Sequence, residues 1–127
     1  MINKREYPSS IVIDLDQTIC FSESGDYINA LPNNEVIAKL REMKNLGFSI
    51  VIYTARNMRT FAGNLGKINV HTLPTIIKWL DKYNVPYDEI MVGKPWPGPQ
   101  GFYVDDKAIR PNEFINLSLQ DINKLIC

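Results

Sequence analysis

Short runs of apolar, mostly β-branched residues alternate along this chain with stretches in which apolar residues recur at helical spacing. The apolar runs predict four buried strands, at 10–13, 48–53, 89–92 and 102–104. Helical spacing predicts helices from Pro32 to a stop at Gly47, from Leu73 to about Asn84, and from Leu117 to Ile126, while residues 56–70 show no regular pattern. Strands separated by helices are joined by right-handed crossovers, so the pattern predicts an α/β fold with a mostly parallel sheet and helices on both faces.

A small β-hairpin is predicted between the first strand and the first helix. Two apolar pieces, 19–21 and 27–31, flank the turn-forming residues 22–26. The hairpin leaves no length for an additional domain at this point of the chain.

Length and composition narrow the class of protein. A chain of 127 residues is the size of one domain, so we expect a single domain over residues 1–127. Fourteen basic and fourteen acidic residues give no net charge, which argues against nucleic-acid binding by bulk charge. No apolar run approaches the ~20 residues of a membrane span, and no signal peptide or cysteine framework is visible. We therefore expect a cytoplasmic protein.

Charge is unevenly distributed within this neutral total. Residues 6–35 contain six acidic residues and no Lys or Arg, whereas residues 55–80 contain four basic residues and no acidic one. The first stretch would attract a cation and the second an anion. Judged on charge alone, a chance distribution of solvent-exposed residues explains this pattern equally well.

Polar residues stand where the predicted strands end. Asp14, Thr54 and Asp105 each follow an apolar run directly, and Asp16 and Asp106 lie close by. In an open α/β sheet, ligands bind at the carboxyl ends of the strands. Carboxylates gathered there would repel each other by about 4 kcal/mol per pair at ~4 Å, so they need a cation. Oxygen ligands without Cys or His favour Mg²⁺ over zinc or copper.

Four motifs in order resemble those of the haloacid dehalogenase (HAD) superfamily. They are the strand with Asp-x-Asp-x-Thr at 11–18, the strand ending in Thr at 51–54, Lys94, and the acidic pair in 103–106. Thr-Ala-Arg-Asn at 54–57 and Gly-Lys-Pro-Trp at 93–96 are similar to small bacterial HAD proteins described as capsular polysaccharide biosynthesis phosphatases. The resemblance implies a three-layer Rossmann-like HAD fold with one catalytic domain and no cap domain.

The resemblance also implies catalytic roles. Asp14 would be the nucleophile that forms an aspartyl phosphate, and Asp16 the general acid and base. Thr54 would bind a phosphoryl oxygen, and Lys94 would stabilise negative charge in the transition state. Mg²⁺ would be held by the Asp14 side chain, the Asp16 carbonyl and Asp105. Asp106 would reach the metal through water or orient Lys94; the residues leave both open.

Substrate contacts are predicted from Thr54, Lys94 and the basic stretch after the second strand. Ala55, Arg56 and Arg59 follow Thr54 directly and would face the same opening. Trp96 and His71 could contact substrate or serve only for packing and capping. The resemblance implies that residues 19–31 act as a mobile flap. Without a cap domain, either the substrate is large or a second subunit of a homo-oligomer covers the site.

The residues and the resemblance together predict a Mg²⁺-dependent phosphatase for a phosphomonoester, such as a sugar phosphate or another intermediate of surface polysaccharide biosynthesis. One alternative is a phosphotransferase or phosphomutase using the same aspartyl phosphate. The other is a non-catalytic, phosphate-binding regulatory module.

Overall fold

A computed structural model describes residues 9–127 of the chain. Three parallel strands, β1 (Ser10–Ile13), β4 (Ser49–Thr54) and β5 (Glu89–Val92), form the main sheet. A short antiparallel hairpin pairs β2 (Cys20–Phe21) with β3 (Leu31–Pro32). The helices are α1 (Asn34–Asn45), α2 (Leu65–His71), α3 (Leu73–Lys82), α4 (Pro111–Asn116) and α5 (Leu119–Ile126).

The main sheet has the order β1-β4-β5, and helices lie on both of its sides. Ile13 pairs with Ile52 and Thr54 pairs with Val92, so the carboxyl ends of all three strands meet at one edge. The prediction of a parallel α/β sheet is therefore confirmed, and so is the hairpin, although its two strands are shorter than the apolar pieces suggested.

The core forms where the helices pack on this sheet. Asn33 caps the N-terminus of α1, because its side chain accepts a hydrogen bond from the Val36 amide. The apolar face of α1 packs on the strands. Fully buried side chains come from both layers: Val36, Ile37, Leu40 and Met43 of α1, Ile50 and Ile52 of β4, and Ile76 and Leu80 of α3. No helix among residues 9–127 has the length and apolar character needed to cross a bilayer.

The predicted fourth strand at 102–104 does not form. Phe102 and Val104 are 79% and 89% exposed, and no sheet hydrogen bonds reach this segment. The Tyr103 hydroxyl donates instead to the Pro95 carbonyl at 2.7 Å, which holds the segment against the preceding proline-rich loop. Gly101 allows the close return, because a Cβ there would collide with the Pro97 backbone. β1 consequently remains an edge strand within the described part of the chain.

Two helix predictions need correction. Helix α2 forms within the stretch predicted as irregular, because Asn64 caps it by accepting a hydrogen bond from the Lys67 amide and because Ile68 is completely buried. The predicted terminal helix, Leu117 to Ile126, forms as α5 from Leu119, and α4, which was not predicted, precedes it. α4 ends before Leu117, whose backbone is extended, and Ser118 then caps α5.

The start of β5 is anchored to β4 by Asp88. Its carboxylate accepts a hydrogen bond from the Ile50 amide at 2.7 Å and pairs with Lys44 of α1. The hydrogen bond from Lys44, followed by that from the Ile50 amide, lowers the pKa of Asp88 below 3.8.

This lowered pKa predicts a pH-dependent contribution to stability. A carboxyl with a depressed folded-state pKa stabilises the fold above its unfolded value, 3.8, and loses that effect as pH falls through the folded value. Asp88→Asn should therefore lower the Tm at neutral pH, and the gap to wild type should narrow as the pH falls below 3.8. Thermal unfolding of both proteins across this range measures the gap; a gap that stays constant with pH contradicts the prediction.

Candidate active site

The ends of β1 and β4 place three of the four predicted catalytic residues in one cavity of about 400 Å³, and the fourth, Lys94, contacts Asp14. Asp14, Asp16 and Thr54 line it together with Tyr27, which lies between the two strands of the hairpin. The parallel register explains this arrangement, because residues that follow paired strands leave the sheet at the same edge.

Asp14 is held from two sides. The Thr18 hydroxyl donates to Oδ2 at 3.1 Å, and the ammonium of Lys94 lies 3.5 Å from Oδ1. The side chain remains about one-third exposed to the cavity, at 36%. Asp14 is therefore oriented and charge-balanced while still accessible to a ligand.

Lys94 reaches Asp14 because the chain turns sharply after β5. Gly93 has a φ of +88°, and a Cβ there would lie 2.6 Å from Leu65 Cδ2. The Lys94 amide then donates to the Thr54 carbonyl at 3.1 Å, which aligns this loop with the end of β4. The ammonium also lies 4.4 Å from the centre of the Tyr103 ring.

Thr54 is buried, with 1% of its surface exposed. Its Oγ1 accepts a hydrogen bond from the Arg56 amide at 3.1 Å. Since that bond uses a lone pair, the hydroxyl proton is free to donate to an oxygen in the cavity.

Arg56 lies inside the protein and pairs with Asp16. Its Nη2 donates to Asp16 Oδ1 at 2.8 Å and its Nε to Oδ2 at 3.1 Å, a two-pronged contact. The guanidinium carbon lies 4.0 Å from the centre of the Tyr27 ring. Arg56 lines the cavity with Asp14 and Thr54, but its side chain is only 3% exposed.

Arg59 occupies the position that Arg56 was expected to share. It lines the cavity at its mouth, where its guanidinium lies 5.5 Å from the centre of the Trp96 ring. Ala55 lines the same cavity. His71 lies outside it: its ring stacks on Phe61 at 5.5 Å and borders a second cavity of about 240 Å³.

The four carboxylates predicted to bind metal are not all brought together. Asp105 and Asp106 lie on an exposed loop directly after residues 102–104. Asp105 Oδ1 accepts a hydrogen bond from the Lys107 amide at 2.8 Å. Among residues 9–127, no three His, Cys, Asp or Glu side chains are grouped closely enough to hold a metal. Asp14 and Asp16 alone share the cavity, a donor set that fits Mg²⁺ when water and phosphate complete its shell.

Cys20 and two tyrosines adjoin the acidic groups. Burial, followed by the charge of Asp16, raises the pKa of the Cys20 thiol to about 12, so it stays protonated and is no nucleophile. Burial also raises the pKa of Tyr27 and Tyr103. Neither tyrosine was predicted to belong to the site, because only the folding of the hairpin and of the loop after Lys94 brings them there.

The chain is similar in sequence and fold to a protein of known structure. No protein-family model matches the chain, and no curated protein does. A crystal structure of a target protein from Vibrio cholerae is 57% identical, covers 93% of this chain and 96% of its own, and superposes with a TM-score of 0.91. The chain belongs to the same family as this Vibrio cholerae protein. The two family members share their fold over nearly their whole lengths.

More distant solved structures resemble the fold alone. Two chains of the Pnkp1/Rnl/Hen1 RNA repair complex are 16% and 20% identical, with TM-scores of 0.54 and 0.53. They match 79% and 89% of this chain, which spans only 30% and 36% of theirs. The α/β fold of the Vibrio cholerae family thus recurs as a part of larger chains.

Proposed function

We propose that this protein is a phosphatase of the HAD type that hydrolyses a phosphomonoester through an aspartyl phosphate on Asp14. The observation that carries the proposal is the environment of Asp14: an accessible carboxylate held by Thr18 and faced by Lys94. The hydroxyl of Thr54, free to donate, lines the same cavity. The order of the HAD-like motifs along the chain supports the same conclusion.

The residues of the cavity suit two successive displacements. In the first, a bond forms between the Asp14 carboxylate and phosphorus while the bond to the leaving oxygen breaks. Asp16 gives its proton to that oxygen. Thr54 and Lys94 stabilise the charge that develops on the phosphoryl oxygens. In the second, water attacks phosphorus while Asp16 accepts a proton from that water. The bond between phosphorus and Asp14 breaks, which releases phosphate and restores the Asp14 carboxylate.

We propose Mg²⁺ as the cofactor. Asp14 and the backbone carbonyl of Asp16 would hold it in the cavity, with Asp105 and Asp106 added if their loop closes on the site. When bound, the ion neutralises charge on the phosphate and so favours attack by a carboxylate.

A phosphate-release assay tests this function. Purified protein is incubated with sugar phosphates, nucleotides and simple alkyl and aryl phosphates in the presence of Mg²⁺, Ca²⁺ or EDTA. We expect inorganic phosphate release with Mg²⁺ only, because Ca²⁺ takes more ligands at longer distances and would engage both Asp14 oxygens.

The same assay can contradict the proposal in two ways. Full activity in excess EDTA would exclude the metal role, and no phosphate release from any ester with Mg²⁺ would exclude the phosphatase. The preferred ester decides the substrate, for which we propose an intermediate of surface polysaccharide biosynthesis such as a sugar phosphate. Size-exclusion chromatography tests the related proposal that a homo-oligomer covers the site.

A further inference from the structure

Arg56 connects three parts of the site that are distant in sequence. Its side chain donates hydrogen bonds to both carboxylate oxygens of Asp16, and its backbone amide donates to Thr54 Oγ1. The Tyr27 ring covers its guanidinium. We infer that Arg56 is the positioning residue of Asp16: it orients the acid–base carboxylate toward the leaving group and does not bind substrate itself. This inference rests on the proposed function.

Arg56 lines the cavity, but burial leaves little of its side chain available to a substrate. The side chain is 3% exposed, whereas the carboxyl group it pairs with is 27% exposed. Two of the three guanidinium nitrogens donate to Asp16, and the third, Nη1, is buried without a partner among residues 9–127. The accessible member of the pair is Asp16.

The geometry of the pair fixes the plane of the carboxylate. A guanidinium that donates two parallel hydrogen bonds sets the rotation of a carboxylate as well as its position, which a single ammonium does not. The Cys20 thiol is 3.6 Å from Asp16 Oδ1 and 3.8 Å from Arg56 Nη2, so it packs against the same edge of the pair. Asp16 is thereby oriented before a substrate arrives.

The hairpin completes this arrangement. Tyr27 covers one face of the guanidinium at 4.0 Å and also lines the cavity with Asp14. A cation under an aromatic ring is shielded from water, which strengthens its ion pair. The hairpin therefore supports Asp16 in two ways: Tyr27 covers Arg56, and Cys20 of β2 contacts Asp16 directly.

A positioned acid matters most when the leaving oxygen is a poor leaving group. An alkoxide must be protonated as it departs, whereas a nitrophenolate departs with little help. Arg56→Ala removes the side chain and keeps the amide that bonds Thr54, so it isolates the contact with Asp16. We expect kcat/KM to fall about 100-fold for glycerol phosphate and no more than about fivefold for p-nitrophenyl phosphate.

Three comparisons make the test specific. In an Asp16→Asn background, Arg56→Ala should lower kcat/KM for glycerol phosphate by no more than about a further twofold. A residue that acts only through Asp16 has no further effect once the Asp16 carboxylate is gone. Added guanidinium ion should restore activity on glycerol phosphate in Arg56→Ala but not in the double variant. Arg59→Ala, at the mouth, should instead raise KM about tenfold and leave kcat nearly unchanged.

Several results would overturn the inference. They are equal losses on both esters, losses that add to those of Asp16→Asn, or a rise in KM alone for Arg56→Ala. If Arg56→Ala does not fold, Arg56→Lys carries the same test, since it keeps the charge and loses the paired hydrogen bonds. Failure of the proposed function is recognised separately, because wild type would then release no phosphate, or Asp14→Asn would retain activity.

Discussion

Asp14→Asn should reduce phosphate release by at least about a thousandfold, because an amide cannot form the acyl phosphate that a carboxylate forms. The fold should be unaffected. An amide oxygen still accepts the hydrogen bond from Thr18, and Asp14 belongs to the cavity rather than to the core. Steady-state kinetics on the preferred ester, with thermal unfolding of the same samples, measure both parts of the prediction.

Asp121→Asn is the matched control, since Asp121 is a largely exposed carboxylate on α5. It should keep wild-type turnover. Retention of more than a tenth of wild-type activity by Asp14→Asn would refute the nucleophile. With Mg²⁺ and beryllium fluoride, the phosphate mimic should attach to Asp14 in wild type and to no residue in the variant.

Trp79→Ala should destabilise the fold by about 3–5 kcal/mol, the scale for removing a large aromatic side chain from a core. Trp79 is buried on α3, and its Nε1 donates to the Ala30 carbonyl at 2.9 Å, where the hairpin returns toward α1. The side chain therefore fills the core and also ties the flap to the helix layer. Urea unfolding monitored by circular dichroism gives the free energy directly.

The second tryptophan supplies the control. Trp96 is half-exposed in the loop after Lys94, and Trp96→Ala should change the free energy of unfolding by less than about 0.5 kcal/mol. Trp79→Phe separates packing from hydrogen bonding, because it keeps an aromatic ring but leaves the Ala30 carbonyl without its donor. This variant should lower the free energy of unfolding by about 1–3 kcal/mol. A Trp79→Ala protein as stable as wild type would show that α3 does not depend on this contact.

Local periodicity was enough to predict most of the regular elements that position the site. Apolar, β-branched runs marked β1, β4 and β5, and apolar residues at helical spacing marked α1 and α3. Because parallel strands end at one edge, the positions of Asp14 and Thr54 after their runs were enough to predict that they share a site. Such patterns depend on residues a few positions apart.

The burial of Arg56 and the exposure of Arg59 depend on the folded chain and could not be predicted from the sequence. Arg56 and Arg59 were equivalent in sequence, but Arg56 meets Asp16, forty positions earlier, and Arg59 remains at the mouth beside Trp96. The run 102–104 has strand character, yet Tyr103 bonds to the preceding loop, and Asp105 is not among the residues that line the cavity with Asp14. An ion pair or a strand pairing depends on what the fold brings alongside, and that depends on register and packing over the whole chain.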